Sequence, residues 1–384
     1  MLYLTINIFY ILLMCPNFLT LMQKFNHRIE ALDGLRFLAF IMVMFYHYLF
    51  IAPLQNFIPR HYAVEPFSFG EYGVDLFFLI SGFVITLSSE NRNALSFFIA
   101  RFNRIVPLFI VCAIILLLFS ISLPMVNAIE RINSLFYSLT FFPKIFGKEY
   151  FSAVYWTITI KVTFYILIAT LMAFKVWDKN RILICSIWVG IAYINSFLLK
   201  DDFLSNILIT QYAGHFIIGI VLFELRTTSI KPIHMLLILL SSILVYNNMI
   251  KHQLWIDSFN VHFDHASILL VCFSLISLVW IASHIESLGV YYPVVRFLGA
   301  MTYPLYLIHA DLGFWSHAIF ERKWWGGNAF LKEYIGYYSM VFIAISLSFL
   351  ISYLLVKYFD PIIQSNLKKF WMRANLYKKP SGGL

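Results

Sequence analysis

About ten stretches of this chain run apolar for about 17–25 residues, the length a helix needs to cross the hydrocarbon core of a bilayer. They lie near 35–54, 72–89, 105–124, 152–176, 182–199, 206–225, 233–250, 266–284, 297–319 and 336–357. Backbone in lipid must satisfy its own hydrogen bonds, and runs this long do so as helices. The pattern predicts an all-α, polytopic membrane bundle of about ten transmembrane helices. Composition agrees, with 61% hydrophobic and 12% charged residues, too little polar surface to solvate a water-soluble fold. A further apolar stretch, residues 2–22, is interrupted by Pro16 and has no small-residue cleavage site like that of a signal peptide. It reads either as an extra span or as an extended start, with the working core opening near Met22.

The formal net charge of +9 raises nucleic acid as a partner, but the distribution of the positive residues explains the charge better. Alternate loops, beginning with 23–36 and ending with the tail, carry 18 Lys and Arg. The opposite loops carry 9, and Lys161 inside a span completes the 28. By the positive-inside bias, both ends of the ten-helix core face the cytoplasm. The expected organisation is an apolar segment over 1–22, one membrane domain over 23–360 and a basic cytoplasmic tail over 361–384, too short to fold alone. The opposite loops, 125–150 and 320–335, are longer and aromatic, as membrane-interface belts are. The segment around Phe136–Pro143 suits a short amphipathic element lying along that interface. Cys15, Cys112, Cys185 and Cys272 sit in apolar runs without paired spacing, as buried small hydrophobes do.

Residues 30–48 place polar groups where lipid disfavours them: Asp33 and Arg36 at the edge of the first run, His47 inside it. Arg36 and His47 are eleven positions apart, close to three helical turns. A regular helix sets them on nearly one face, roughly 16 Å apart along the axis, lining one lumen. Ionisable groups inside a membrane are costly and usually functional, although apolar helices also bury hydrogen-bonded structural histidines. His47 suits a general base or a nucleophile, and the sequence leaves both routes open. Asp33 suits either orienting Arg36 or capping the helix. His262, Asp264 and His265 have metal-ligand spacing but lack further ligands nearby, so they are expected to be solvated loop residues and no metal site is assigned. The sequence has no Gly-x-Ser-x-Gly elbow, P-loop or dinucleotide glycine motif.

Four ordered motifs carry a resemblance. They are Leu32-Asp33-Gly34-Leu35-Arg36-Phe37-Leu38-Ala39 with His47, Gly73-Val74-Asp75-Leu76-Phe77-Phe78-Leu79-Ile80-Ser81-Gly82-Phe83, Arg101-Phe102-Asn103-Arg104-Ile105-Val106-Pro107, and Gly299-Ala300-Met301-Thr302-Tyr303-Pro304-Leu305-Tyr306-Leu307-Ile308-His309. Together they resemble the acyltransferase 3 family over about residues 29–360. The resemblance implies transfer of an acyl group, usually acetyl from cytoplasmic acetyl-CoA, to a hydroxyl of a surface glycan or lipid-linked saccharide. It implies a multi-pass protein of the plasma (bacterial inner) membrane; either the membrane domain completes the transfer itself, or a separate extracytoplasmic acyl acceptor protein takes the acyl group onward. A phosphate-bearing donor needs cations at the cytoplasmic edge, and Arg36, Arg101 and Arg104 supply them. His309 is a second catalytic candidate, with Tyr303 and Tyr306 a turn or so away as substrate contacts; a structural His is the competing reading. Asp75 would orient His47, bind acceptor hydroxyls or make a structural contact.

One position departs from the family pattern. Where members usually carry an acidic residue in the fourth span, Trp156-Thr157-Ile158-Thr159-Ile160-Lys161 puts a lysine. At helical rise its depth is close to that of His47, so it is a candidate for stabilising a thioester oxyanion or a mark of altered activity. The rival class is a transporter or flippase of lipid-linked saccharide, with Arg36, His47 and Lys161 along a conduction path. The other large class of membrane-bound O-acyltransferases also uses an intramembrane His, but the ordered motifs do not fit it.

Overall fold

The computed structural model describes residues 29–121, 127–257, 261–285, 287–323 and 336–373. The expected N-terminal segment, most of the 320–335 loop and residues 374–384 lie outside the described residues. Every regular element among the described residues is helical. Helix α1 (Glu30–Phe45) passes into a π turn (Tyr46–Ile51). It is followed by α2 (Gly73–Ser89), α3 (Ala94–Ile121), α4 (Ala128–Ser138), α5 (Trp156–Ala173) and α6 (Trp177–Ile194). Then come α7 (Asp202–Ile207), α8 (Ala213–Thr227), α9 (Pro232–Asp257) and α10 (His265–His284). Helices α11 (Tyr292–Lys323), α12 (Tyr337–Leu354) and α13 (Asp360–Arg373) follow among the described residues.

Among the described residues, eight helical segments are long and apolar enough to cross a membrane, which makes the chain an all-α polytopic membrane protein. The expected span over 206–225 takes another form. The chain breaks after α7 and restarts as α8, whose 15 residues reach about 22 Å. The break is held by polar groups: Asn195 Nδ2 donates to Thr210 Oγ1 at 2.8 Å, Ser205 Oγ at 2.9 Å and the Asp201 carbonyl at 3.1 Å. Ile209 there takes a positive φ of 44°. Sequence hydropathy sees only the apolar run and cannot see this polar knot.

Nearly every residue of α8 from Ala213 to Arg226 is buried. A helix apolar on all sides belongs in the middle of a bundle, and α2, α6, α9 and α10 pack around it. Gly82 of α2 and Gly219 of α8 make their crossing possible. A Cβ at Gly82 would overlap the Phe216 carbonyl, and one at Gly219 would overlap that of Leu79. A second lock lies at the end of the bundle where α1 begins. Arg181 of α6 pairs with Glu90, with Glu224 at 2.8 Å and with Asp178 at 3.2 Å, while Trp177 Nε1 donates to Ser89 Oγ at 2.9 Å.

Helix α13, inside the stretch expected to be a tail, instead docks on α3. Pro107 has no N–H to give to the carbonyl four residues earlier, that of Asn103. Gln364 Nε2 of α13 donates to that carbonyl at 2.9 Å, and Trp371 Nε1 donates to the Asn103 side-chain oxygen at 3.0 Å. At the other end of the bundle, α4 leaves Ile129, Ile132 and Phe136 exposed, the amphipathic character expected of this loop.

Candidate active site

At the α1-start end, the helices enclose a cavity of about 2200 Å³. Its wall carries Arg36, Arg92, Arg101, Arg104 and Lys161, with Tyr165, Tyr303 and Tyr306 beside them. Cations outnumber carboxylates in the lining. Among the described residues, Arg92, Arg101, Arg104 and Lys161 have no ion pair, whereas Arg181 on the same rim has three. The Arg101 Nε is buried without an acceptor. Buried guanidinium donors left without a carboxylate suit an incoming phosphate-bearing ligand.

Arg36 is held from below. Asp33 is buried, at 1% exposure, and accepts from Arg36 Nη1 at 2.6 Å. Helix α1 is capped by Ile29 without a side-chain bond, so Asp33 orients Arg36 and is not the cap. Gly299 of α11 lets this pair sit close, since a Cβ there would lie 2.8 Å from Asp33 Cβ. Tyr303 Oη donates to the Ile105 carbonyl at 3.1 Å, tying α11 to the helix that carries Arg101 and Arg104. Lys161 reaches over two ring faces, its Nζ 4.8 Å from the centre of Phe77 and 5.8 Å from that of Tyr306. Depth alone set Lys161 beside His47; the structure puts it in the arginine cavity.

His47 lies beyond the cavity lining, in the π turn. Arg36 and His47 were expected on one lumen; Arg36 lines the cavity, whereas His47, in the π turn that follows Phe45, is not part of its wall. The turn brings the consecutive residues His47 and Tyr48 onto one residue, His309. His47 Nδ1 lies 3.0 Å from His309 Nε2, and Tyr48 Oη donates to the His309 carbonyl at 2.6 Å. Tyr337 Oη donates in turn to the Tyr48 carbonyl at 2.5 Å.

These bonds assign the protons. His309 Nδ1 faces the carbonyls of Tyr306 at 2.9 Å and Leu305 at 3.2 Å. A carbonyl only accepts, so Nδ1 carries the hydrogen and Nε2 of the neutral ring is an acceptor. His47 Nδ1–H donates to that acceptor, and His47 Nε2 is left without a proton. A half-buried imidazole with a bare, oriented nitrogen is the form a general base requires.

The family model described as an acyltransferase domain, acyltransferase 3, matches residues 29–365. The chain belongs to the acyltransferase 3 family. It is similar to the peptidoglycan O-acetyltransferase OatA of Listeria monocytogenes, 28% identical over 188 residues, which cover 44% of this chain and 28% of that protein. The match thus spans just over a quarter of that relative's length. No solved structure matches the chain.

The other expected site residues fall elsewhere. Asp75 does not orient His47; its carboxylate bonds His215 Nε2 at 2.6 Å inside the α2–α8 contact. His215 was not singled out from the sequence, although a lone His in an apolar run was the available signal. Asp264 accepts from Ser267 N at 2.6 Å and caps α10, which holds its carboxyl below the usual range. His265 bonds the Tyr246 hydroxyl at 2.8 Å.

Proposed function

We propose that the chain is a membrane O-acetyltransferase that moves acetyl from acetyl-CoA to a hydroxyl of a surface or lipid-linked glycan. The carrying observation is the His309–His47 pair, whose hydrogen bonds leave His47 Nε2 bare, one helical segment beyond an arginine cavity. The unpaired guanidinium groups of Arg92, Arg101 and Arg104 bind the donor phosphates, and Arg36, held by Asp33, adds a fourth cation. Lys161 and Tyr306 stand at the inner wall of the cavity. Tyr306 also reaches the histidines, with ring centres 5.7 Å apart from His309. The donor therefore threads past Tyr306 with its thioester toward His47. His47 Nε2 takes the proton of the acceptor hydroxyl as its oxygen attacks the thioester carbonyl. Lys161 offsets the negative charge that grows on the carbonyl oxygen. The C–S bond breaks, and the proton passes from His47 to the leaving thiolate, giving an ester and the free thiol. His309 is a positioning residue, acting through the His47 tautomer.

The Lys and Arg bias supports a cytoplasmic arginine end in the plasma membrane of a bacterium, with ten crossings and the acceptor on the far side. The test is acetyl-CoA labelled in its acetyl group, added to membranes that contain the protein and to membranes that lack it. Label entering the saccharide fraction only with the protein supports transfer. An unlabelled saccharide fraction, with the protein present in normal amount, contradicts transfer and favours saccharide transport.

A further inference from the structure

Helix α13 reaches the arginine cavity as well as α3. It follows α12 through a π turn, Leu355–Phe359, and its Asp360 and Gln364 belong to the cavity wall together with Arg101 and Arg104. Asn103 stands between those arginines in the chain and is not part of the wall. On a helix it points about 160° away from Arg101 and about 100° from Arg104. One turn of α3 thus offers its arginines to the cavity and its asparagine to α13.

Two bonds use that asparagine. Gln364 Nε2 donates to the Asn103 carbonyl at 2.9 Å, and Trp371 Nε1 donates to Asn103 Oδ1 at 3.0 Å. The carbonyl is open to a partner from outside the helix because Pro107 has no N–H to give it. The Gln364 amide nitrogen also donates to Asp360 Oδ1 at 3.1 Å. A carbonyl and a carboxylate only accept, so the amide can turn only its nitrogen toward them. From α11, Tyr303 Oη donates to the Ile105 carbonyl at 3.1 Å. The turn that carries Arg101 and Arg104 lacks one bond of its own helix and is held instead by two neighbouring helices. A guanidinium fork fits phosphate oxygens through its geometry, so where this turn is held decides what the two arginines can grip. Trp371 lies beyond residues 29–365, which the family model matches, so its bond is no part of the pattern that defines the family.

We propose that α13 is a positioning element of the acyl-donor site: Gln364 and Trp371, acting through Asn103, hold the turn that presents Arg101 and Arg104 to the donor phosphates. The inference rests on reading the arginine cavity as the place where acetyl-CoA binds. It gives the C-terminal helix a part in donor affinity and none in the chemical step.

Full-length wild type, Gln364→Leu and Trp371→Phe in detergent micelles are titrated with acetyl-CoA and with inorganic pyrophosphate, and their acetyl transfer into the membrane saccharide fraction is measured. Trp371→Phe keeps an aromatic ring and removes only the N–H. Each variant is expected to bind both ligands about 5-fold or more weakly and to raise the KM for acetyl-CoA, with kcat within about twofold of wild type. Pro107→Ala returns a helical N–H to the Asn103 carbonyl, so Gln364→Leu is expected to cost much less in that background. Binding of neither ligand by the wild type overturns the proposal together with the donor site. Equal affinities in wild type and both variants overturn it, even if the unfolding midpoint falls, since α13 is then a structural clamp alone. A fall in kcat at unchanged KM overturns it, as does an equal cost of Gln364→Leu with and without Pro107. Weakened binding of both ligands, with no acetyl transferred by the wild type, upholds the positioning role and removes the transfer reading. Acetyl transfer with a KM that ignores both variants removes α13 from the donor site and keeps the transferase.

Discussion

The bundle buries two hydrogen-bonded histidines that differ in what they face. His215 meets the Asp75 carboxylate at 2.6 Å, with no exposure, between two helices that touch through glycines. His47 meets a second imidazole at 3.0 Å and is only half-buried. A carboxylate partner gives the first pair a charge-assisted bond that ties α2 to α8. The imidazole partner gives the second a proton pattern fixed by backbone carbonyls, with one nitrogen bare. The difference teaches that an intramembrane histidine is informative through its partner rather than through its burial: the first pair is a clamp, and the second leaves the bare nitrogen on which the proposed base chemistry rests.

Breaking the clamp gives the largest effect. Asp75→Ala leaves His215 unpaired in the core and is expected to lower stability by about 3–5 kcal/mol, read as a lower unfolding midpoint in detergent. If Asp75 served the chemistry instead, folded Asp75→Ala protein would lose activity at an unchanged midpoint. Removing the imidazole acceptor is expected to do the reverse. His309→Leu frees the His47 Nδ1 proton and is expected to lower kcat about 100-fold, while the KM for acetyl-CoA and the unfolding midpoint stay near wild type. A KM that rises with an unchanged kcat would make His309 part of the donor site and erase the contrast.

Much of the fold was legible because lipid leaves a chain few choices: apolar runs of spanning length become helices, and Cys112, Cys185 and Cys272 are buried free thiols as expected. The family motifs also singled out Arg36, Arg101, Arg104, His47 and His309. Their grouping was not legible. Helix periodicity put His47 with Arg36, and it cannot show that the imidazole His47 bonds is 262 residues away. Lys161 matched His47 in depth, but depth says nothing about which neighbour a side chain faces. His215 and Asp75 are 140 positions apart, and a pairing at that separation is decided by helix packing. The break before α8 stayed hidden because Asn195, Ser205 and Thr210, whose side chains hold it, meet only in the fold.

The central claim is that His47 Nε2 does the chemistry. The most direct measurement is acetyl transfer to saccharide by purified His47→Ala protein beside wild type, with acetyl-CoA binding measured on the same samples. The expected result is transfer lost by a factor of about 100 or more, with acetyl-CoA affinity within a fewfold of wild type and the protein still folded. Transfer at the wild-type rate by the folded variant would contradict the claim and remove His47 from the mechanism.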